Sequence, residues 1–338
     1  MSEIIQTQSL RTLAQAWIGR GWRVIAPVQV KPGVVLYRPV QSADVVLFDG
    51  FVRPANTIKE FLFPRHEVLY RYRFVGKRIE LADEPLPEQP QLILAARPCD
   101  AAGVAILDDV FNWDCADAFY NRRRELTTIV TLACAEPDDH CFCTSVGCGP
   151  EDTRGADAML LPLGEGAFEA RCLTDKGREL LGGQTASSDR SAEALAGPPS
   201  RIDLPRVKEF LADGFENPVW PQLNVRCLGC GACAYMCPTC HCFDIVDEGN
   251  AAGGVRARNW DACQFAMFTH HASGHNPRHN QAERGRQRIM HKFAIYEQKF
   301  GKTLCTGCGN CSRNCPVGLG VLPVLEQIEQ AQQQPAGE

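Results

Sequence analysis

The chain has 338 residues, of which 45% are hydrophobic and 22% are charged. This composition is ordinary for a folded globular protein and excludes global disorder, and the length suffices for two domains. The net charge of -5 excludes the basic excess of a general nucleic-acid binder. No apolar run approaches the roughly 18 residues that span a bilayer. The first residues also lack the basic start and cleavage site of a signal peptide, so we expect a cytoplasmic protein.

Cysteine is the unusual part of the composition, with 18 residues. In a reducing compartment, thiols stay free instead of forming disulfides. Dense groups of cysteines in such a compartment are more often metal sites. The sequence therefore predicts a metalloprotein.

The first half of the chain mixes helical and strand patterns. Residues 9–21 place Leu10, Leu13 and Trp17 on one face of a helix, and AAGVAILDDVFN predicts a second helix. Strands are predicted for WRVIAPV, GVVLYRPV, DVVLFDG, EVLYRYRFV, QLILAAR and TTIVTLAC. This mixture predicts an α+β fold, with a mixed α/β domain over residues 1–181.

The pattern changes beyond residue 181. Residues 182–205 are rich in Gly, Ser, Ala and Pro, which predicts a linker. After it, strand patterns vanish, cysteine density rises, and helical patterns such as RVKEFLADGF and GRQRIMHKFAIYEQKFG dominate. Residues 206–338 are therefore predicted to form a mainly helical domain.

This second domain contains an internal repeat. CLGCGACAYMCP begins at Cys227 and CTGCGNCSRNCP begins at Cys305, and both read C-x2-C-x2-C-x3-C-P, the ferredoxin spacing for [4Fe–4S] clusters. The first three thiolates of a run bind one cluster, and the fourth binds the other. Glycines between the cysteines let the backbone approach the sulfurs. The predicted ligands are Cys227, Cys230, Cys233 and Cys315 for cluster one, and Cys305, Cys308, Cys311 and Cys237 for cluster two.

Structural zinc is the alternative for these runs, but it needs only four thiolates per ion and fits two runs ending in Cys-Pro poorly. Cys240 and Cys242, in CPTCHCF, fall outside both quartets and are interpreted as packing thiols. His241 is interpreted as a hydrogen-bonding neighbour. The long segment between the two runs favours the α-helical type of dicluster ferredoxin.

Another group of cysteines lies in the predicted first domain, within RPCDAAGV and CAEPDDHCFCTSVGCGP. Cys99 and Cys134 each end a predicted strand, so neighbouring strands would bring them together, and Cys141 and Cys143 follow on the same loop. These four can hold a third [4Fe–4S] cluster, with zinc or unligated thiols as the alternatives. Cys148 is a spare candidate ligand. It is interpreted as structural, as are Cys115 and Cys172.

The stretch HNPRHNQAERGRQRIMHK is basic, and two interpretations stay open. Its charges either form a solvated helix face, or they offset the negative charge of the clusters and raise their reduction potentials.

Four segments together resemble a known family: RPCDAAGVAILDDVF, CAEPDDHCFCTSVGCGP, HNPRHNQAERGRQRIMHKF and CTGCGNCSRNCPVGL. They resemble the iron–sulfur β subunit of soluble cytosolic nickel–iron hydrogenases of the sulfhydrogenase type, and its relative, the corresponding iron–sulfur subunit of anaerobic sulfite reductase. The resemblance covers most of the chain and is weakest at residues 182–205. It implies one subunit of an oxidoreductase complex, not catalytic by itself. Such a subunit relays electrons between a flavoprotein NAD(P)H-oxidising subunit and a catalytic subunit, either a hydrogenase or a sulfite-reductase-like enzyme.

Two other functions are compatible with the sequence. One is a self-contained iron–sulfur reductase with a flavin or substrate site in the N-terminal domain. The other is a zinc-stabilised scaffold, which would be colourless, whereas an iron–sulfur protein is brown.

The ligand assignment of the first run can be tested at its last cysteine. We expect Cys237→Ser to damage cluster two, because it removes a predicted ligand, and Cys240→Ser to retain both C-terminal clusters. Iron content and visible absorption of anaerobically purified variants measure this difference. Equal loss of iron in the two variants would contradict the assignment.

Overall fold

A computed structural model describes residues 2–333 of the chain. The chain divides into two compact units, and it enters each of them more than once. The described residues of Met1–Lys59, Glu88–Asp203 and Cys305–Gly309 form the first unit, and those of Glu60–Pro87, Leu204–Leu304 and Asn310–Glu338 form the second. The predicted domain limits, with a linker at 182–205, stay a prediction.

The strands are, in chain order, β1 (Ser2–Gln6), β2 (Arg23–Lys31), β3 (Val34–Pro39), β4 (His66–Val75), β5 (Arg78–Asp83), β6 (Gln91–Ala96), β7 (Thr127–Leu132), β8 (Ala158–Gly164), β9 (Ala167–Cys172), β10 (Ala186–Ser188), β11 (Phe243–Asn250) and β12 (Gly253–Trp260).

The helices are α1 (Thr7–Gly19), α2 (Pro98–Phe111), α3 (Ala118–Leu126), α4 (Asp175–Leu181), α5 (Leu204–Asp213), α6 (Val219–Asn224), α7 (Ala232–Tyr235), α8 (Gln281–Met290), α9 (Tyr296–Phe300), α10 (Asn310–Arg313) and α11 (Val321–Gln333), with a π-helical turn at His291–Ile295 between α8 and α9. No helix among residues 2–333 combines the length and apolar character needed to cross a bilayer.

The first unit is built on a sheet of eight described strands in the order β10-β1-β9-β8-β7-β6-β2-β3. The central strands β2, β6, β7 and β8 run parallel to one another, and the outer pairs are antiparallel. Every residue of β6 (QLILAA) and β7 (TTIVTL) is buried, which is typical of parallel strands covered on both faces. Helix α1 packs on the core of this sheet through Leu10 and Ala14.

Most predicted elements of this region are present, but DVVLFDG is not a strand. Ser42 caps a 3-10 turn at Ala43–Val45 by accepting a hydrogen bond from the Asp44 N–H, which turns the chain out of the extended conformation. Val46 and Phe48 are still buried in the core. The apolar pattern of this segment therefore reflects burial of a loop and not sheet pairing.

The predicted linker contains a short strand, β10, which pairs with β1. Farther along, the Ala192 N–H donates to the Glu169 carboxylate at 2.7 Å, and the Leu195 N–H donates to the Glu151 carboxylate at 2.7 Å. Part of this Gly- and Ser-rich segment is therefore held against the first unit by hydrogen bonds.

The second unit combines helices with a four-stranded antiparallel sheet in the order β11-β12-β4-β5. The expectation that strand patterns vanish after residue 205 is wrong at the hairpin of β11 and β12. Glycines allow this pairing, since a Cβ on Gly254 would lie 2.3 Å from the Glu248 carbonyl oxygen. A buried ion pair between Arg258 and Glu67 joins β12 to β4, with the two side chains 4% and 3% exposed. The α+β class is confirmed, and strands contribute to both units.

Gly155 fixes the approach of the loop before β8 to α2, the helix that carries Cys99. Its φ is +73°, and a Cβ there would lie 2.2 Å from the Ala101 carbonyl oxygen. Gly33 has a φ of +74° with nothing within 4 Å of such a Cβ. We expect Gly33→Ala to lower the free energy of unfolding by about 1–2 kcal/mol, from backbone strain alone.

Gly155→Ala adds a collision with the α2 backbone to that strain, and we expect it to lower the free energy of unfolding by roughly 3 kcal/mol or more. Denaturant unfolding of the two variants under identical anaerobic conditions measures the difference. Equal destabilisation would show that the close approach of this loop to α2 is not required.

Candidate metal centres

The first candidate centre lies in the second unit, where short elements bring four cysteines together. Cys227 and Cys230 lie on the loop after α6, Cys233 lies on α7, and Cys315 follows α10. All four line one cavity of about 420 Å³, a volume that includes its open mouth. The structure thus places the four predicted ligands of cluster one around a common space.

Glycine is required by the backbone between these cysteines. Gly229 and Gly231 have φ angles of +66° and +73°, in the left-handed region that favours glycine. A Cβ on Gly231 would also lie 2.5 Å from the Phe265 ring. The second cysteine run repeats the conformation, with φ angles of +63° at Gly307 and +74° at Gly309. The two runs therefore share backbone geometry as well as spacing.

Polar groups around the first cavity donate hydrogen bonds to sulfur. Gln281 Nε2 lies 3.2 Å from Cys227 Sγ, and the same amide nitrogen lies 2.6 Å from Gln264 Oε1, which orients it. The Leu319 N–H lies 3.2 Å from Cys315 Sγ. Hydrogen bonds of this kind stabilise a thiolate that is bound to metal.

Arg288 is the buried charge of this cavity. Its side chain is 7% exposed, it donates to the Leu319 carbonyl oxygen at 2.9 Å, and it contacts the Cys233 sulfur. Burial opposes its charge, but the sulfurs of Cys233 and Cys311 outweigh burial and raise the pKa of Arg288. Burial also raises the pKa of Cys233 to about 11, although Arg288 opposes this shift. A buried guanidinium needs anions beside it, and these cysteines supply them in the thiolate form that metal requires.

Cys237, a predicted ligand of cluster two, is buried beside a lysine. Lys292 Nζ lies 3.5 Å from its sulfur, and the Lys292 side chain is 3% exposed. The thiol of Cys240 is in hydrogen-bond contact with Cys237, and this contact together with burial raises the pKa of Cys240. Cys242 makes a similar contact with Cys263. The interpretation of Cys240 and Cys242 as packing thiols stays a prediction.

Within each unit, a backbone N–H also donates to a sulfur of the second cysteine run. In the first unit the Gly307 N–H lies 3.4 Å from Cys305 Sγ, and in the second unit the Val321 N–H lies 3.2 Å from Cys311 Sγ. The quartet of cluster two stays a prediction from spacing. The division of the chain leaves Cys305 and Cys308 in the first unit and Cys237, Cys311 and Cys315 in the second.

A second cavity, of about 430 Å³ including its mouth, lies in the first unit. Because β6 and β7 are parallel neighbours, the segments that follow them begin at the same edge of the sheet. Ala95 has a φ of +56°, and the β6–β7 register shifts between Ile93 and Ala96, where the chain turns from the strand into α2. The cysteines that line the cavity are Cys99, Cys134, Cys141, Cys143 and Cys308.

This cavity therefore contains the four predicted ligands of a third cluster and one cysteine more. Cys308 is the additional cysteine, and spacing assigns it to cluster two. Its neighbour Gly307 approaches the cysteine loop closely, since a Cβ there would lie 2.4 Å from Cys143 Cα. The Phe142 N–H donates to the Gly307 carbonyl oxygen at 2.9 Å. These contacts explain why the short segment 305–309 belongs to the first unit.

Arg53 anchors Cys99 in the second cavity. Its side chain is 3% exposed and pairs at 3.0 Å with Asp100, whose side chain is fully buried. Arg53 Nη1 lies 3.1 Å from Cys99 Sγ and 3.2 Å from the Cys308 carbonyl oxygen. The Tyr37 hydroxyl also donates a hydrogen bond to Asp100 at 2.9 Å, so both Arg53 and Tyr37 donate to this buried carboxylate. Burial raises the pKa of Cys99, and Arg53 opposes that shift.

The remaining cysteines of the first unit lie outside this lining. Cys148 accepts a hydrogen bond from Arg154 Nη2 at 2.8 Å, and burial raises its pKa to about 11. Cys115 and Cys172 are exposed.

In the basic stretch at 275–292, some charged residues lie beside cysteines and others do not. Arg288 and Lys292 are buried beside cysteines, whereas Arg286 pairs with Glu216 at 3.1 Å and stacks on Phe215 at 3.8 Å. The sequence did not indicate Arg53 or Gln281, and it indicated Arg288 and Lys292 only as members of the basic stretch. The available signal was the four-residue interval of Arg284, Arg288 and Lys292, which places them on one helix face.

Comparison with known proteins gives the family. Residues 226–319 match the family described as a 4Fe-4S dicluster domain. Over 252 residues the chain is 31% identical to Sulfhydrogenase 2 subunit beta of Pyrococcus furiosus. The aligned region covers 71% of this chain and 74% of that protein. The chain belongs to the sulfhydrogenase beta subunit family. The predicted resemblance is confirmed, and the chain is an iron–sulfur electron-transfer subunit with a [4Fe–4S] dicluster domain. No solved structure gives a significant match.

The contribution of the buried Arg53–Asp100 ion pair can be tested by measuring the free energy of unfolding. Arg53→Met leaves the Asp100 carboxylate buried without its cation, and we expect the free energy of unfolding to fall by about 3–5 kcal/mol. Adding Asp100→Asn removes the unpaired charge and recovers part of that loss. Arg122→Met, which breaks an exposed ion pair, is expected to cost less than about 1 kcal/mol. Anaerobic denaturant unfolding of the four proteins checks this, and equal losses for Arg53→Met and Arg122→Met would contradict it.

Proposed function

We propose that this sulfhydrogenase-type beta subunit relays single electrons between a flavoprotein NAD(P)H-linked subunit and a separate catalytic subunit. When bound, [4Fe–4S] clusters supply one-electron storage, and the protein sets their spacing and potential. The proposed ligands are Cys227, Cys230, Cys233 and Cys315 for cluster one, Cys305, Cys308, Cys311 and Cys237 for cluster two, and Cys99, Cys134, Cys141 and Cys143 for cluster three.

The observation that carries this proposal is the composition of the first cavity. It combines four cysteines with an amide donor, a backbone N–H and a buried guanidinium, all within the segment that matches the dicluster domain. Such a site stabilises negative charge on sulfur. This composition supports electron storage by sulfur-ligated clusters.

The third cluster is supported by a parallel construction in the first unit. The second cavity resembles the first in volume, and it too combines four or more cysteines with a buried cation, Arg53. A zinc site would need three or four side chains around a single ion. The second cavity instead offers five cysteines around one space of about 430 Å³, which supports a cluster.

The alternative of a self-contained reductase would place flavin or substrate in the first unit. An open cavity of about 760 Å³, including its mouth, lies there between Phe48, Phe51 and Phe168. The charged side chains of its lining are Asp49, Arg97, Glu136 and Glu165. Arg97, the cation of this lining, donates to the carbonyl oxygens of Phe51, Val52, Leu132 and Ala133. A lining that is acidic apart from this occupied guanidinium is a poor site for the phosphate of a flavin nucleotide, so the relay is the better supported function.

The partners are proposed from the family. The Pyrococcus relative is named as the beta subunit of a sulfhydrogenase, and we extend that organisation to this chain as a cytoplasmic complex. The catalytic partner is either a nickel–iron hydrogenase or a sulfite-reductase-like enzyme. Anaerobic co-purification with a tagged chain, followed by identification of the bound subunits, decides between them. Turnover of NAD(P)H by the isolated chain with an added acceptor would favour the self-contained reductase instead.

The number of clusters is tested by iron content. Three clusters give about twelve irons per chain in anaerobically prepared protein, and two give about eight. We expect Cys134→Ser to lower the content by about four, because it removes a proposed ligand of cluster three. Cys148→Ser is the matched control, since Cys148 lies on the same loop but outside the cavity lining, and it should retain all iron. About eight irons in the unmodified protein would remove the third cluster.

A further inference from the structure

We infer that Gln281 is a positioning residue of cluster one, and that its side-chain amide raises the reduction potential of this cluster by donating a hydrogen bond to Cys227. The buried Arg284 holds the amide in the orientation that this hydrogen bond requires. The inference rests on the proposed function, because it concerns the cluster that the first cavity is proposed to hold. It assigns a role to two residues that the ligand spacing does not indicate.

The hydrogen bonds from Arg284 determine which end of the Gln281 amide faces the sulfur. Arg284 donates to Gln281 Oε1 from Nε at 3.2 Å and from Nη2 at 2.9 Å. A guanidinium carries donors only, so the amide atom next to it has to be the oxygen. The amide nitrogen therefore faces the other way, where it lies 3.2 Å from Cys227 Sγ.

A second glutamine accounts for the other N–H of the same amide. Gln281 Nε2 lies 2.6 Å from Gln264 Oε1. Gln264 Nε2 in turn donates to the Arg284 carbonyl oxygen at 3.0 Å, so the orientation of Gln264 is determined as well. Because an amide nitrogen carries two N–H donors and one of them is directed at Gln264, the second is left for Cys227.

Arg284 brings a positive charge to the oxygen end of this amide. The residue is 8% exposed, and its guanidinium also donates to the Arg278 carbonyl oxygen at 2.8 Å. Within residues 2–333, the acceptors found for this guanidinium are that carbonyl oxygen and Gln281 Oε1, and both are uncharged. A buried cation is costly without an anion nearby. The thiolates of cluster one supply negative charge, and the cation polarises the amide that connects it to Cys227.

The backbone fixes this amide relative to the cysteine loop. Gln281 is the first residue of α8, and Arg284, three residues later, lies on the same side of the helix. Helix α8 packs closely on α6, since a Cβ on Gly285 would lie 1.8 Å from Asn224 Oδ1. The Cys227 N–H donates to the carbonyl oxygen of the same Asn224 at 2.9 Å. One residue of α6 therefore contacts both the helix that carries Gln281 and the cysteine to which Gln281 donates.

A hydrogen bond to a cluster ligand favours the reduced form of the cluster. Reduction adds one negative charge, which the sulfur ligands share, and an N–H donor binds a more negative sulfur more strongly. Removing the donor should therefore lower the reduction potential of cluster one. The amide donates to the sulfur of a ligand of cluster one, so we expect the other clusters to keep their potentials.

The role of the amide is tested by replacing it with an apolar side chain of similar length. In Gln281→Met we expect the reduced-to-oxidised ratio of one cluster to fall about tenfold at a fixed potential, which corresponds to about 59 mV for one electron. Gln327→Met is the matched control, since the Gln327 amide donates to the Pro323 carbonyl oxygen at 3.0 Å and not to sulfur, and we expect no shift. Anaerobic potentiometric titration followed by electron paramagnetic resonance measures each ratio.

The contribution of Arg284 is tested by a double-mutant cycle. Because Arg284 acts through the amide, Arg284→Met should lower the same ratio by about threefold in the unmodified background and by less than about 1.5-fold in the Gln281→Met background. A charge that acted directly through space would lower the ratio equally in both backgrounds. Equal falls, or no fall in either background, would overturn the role assigned to Arg284.

The outcomes separate this inference from the proposed function. In Gln281→Met protein with full iron content, an unchanged ratio or an equal fall in every cluster overturns the inference. If either variant loses its iron, the unmodified protein decides. Glutamine that is isotopically labelled at the side-chain nitrogen should then show a hyperfine coupling to one reduced cluster in pulsed electron paramagnetic resonance, and absence of that coupling overturns the inference. Absence of [4Fe–4S] signals in the unmodified protein would instead reject the proposed function itself.

Discussion

A sulfur anion buried in a protein has to be met by positive charge or by N–H groups, because an uncompensated buried charge is costly. This constraint organises both units of the chain. Each proposed set of cysteine ligands has a buried cation beside one of its members, and the pairs are Arg288 with Cys233, Lys292 with Cys237, and Arg53 with Cys99. Burial raises the pKa of Cys143 to about 12 and that of Cys233 to about 11, so these thiols stay protonated without metal. Metal binding then releases protons and completes the compensation, which couples it to folding.

The buried cations come from elements other than those that carry the cysteines. Several sulfurs sit on loops whose glycines have positive φ, and Cys99, Cys233 and Cys311 lie on α2, α7 and α10. The cations come from packed elements or from buried ion pairs. Arg288 lies on α8 and Lys292 on the π-helical turn that continues it, and Arg53 is held by the fully buried Asp100 on α2. The cation beside each proposed set of ligands is thus supplied by an element that carries none of those ligands.

The predictable part of this molecule is the part that is local in sequence. Spacing within a run identifies Cys227, Cys230 and Cys233, because ligands of one cluster follow each other on one loop. Cys99 and Cys134 follow β6 and β7, two predicted strands that are parallel neighbours, and they therefore lie at one edge of the sheet. Arg53 was beyond reach, since it lies 46 positions from Cys99 in a segment without a motif. The hairpin of β11 and β12 was also missed, because β11 is exposed and charged and lacks the apolar alternation that indicates a strand.

Differences in burial among the cysteines bear on where electrons enter or leave. Cys237 and Cys311 are each 8% exposed, whereas Cys230 is exposed at the cavity of cluster one. Its surroundings are apolar, with Leu228 68% and Val225 79% exposed. Large apolar side chains left in water at such a point are typical of a surface that a partner covers, and small interfaces suffice for transient electron transfer. Under the proposed function, in which the two redox groups must approach each other closely, the exposed side of the first cavity at Cys230 is where an electron-exchanging partner is expected to bind.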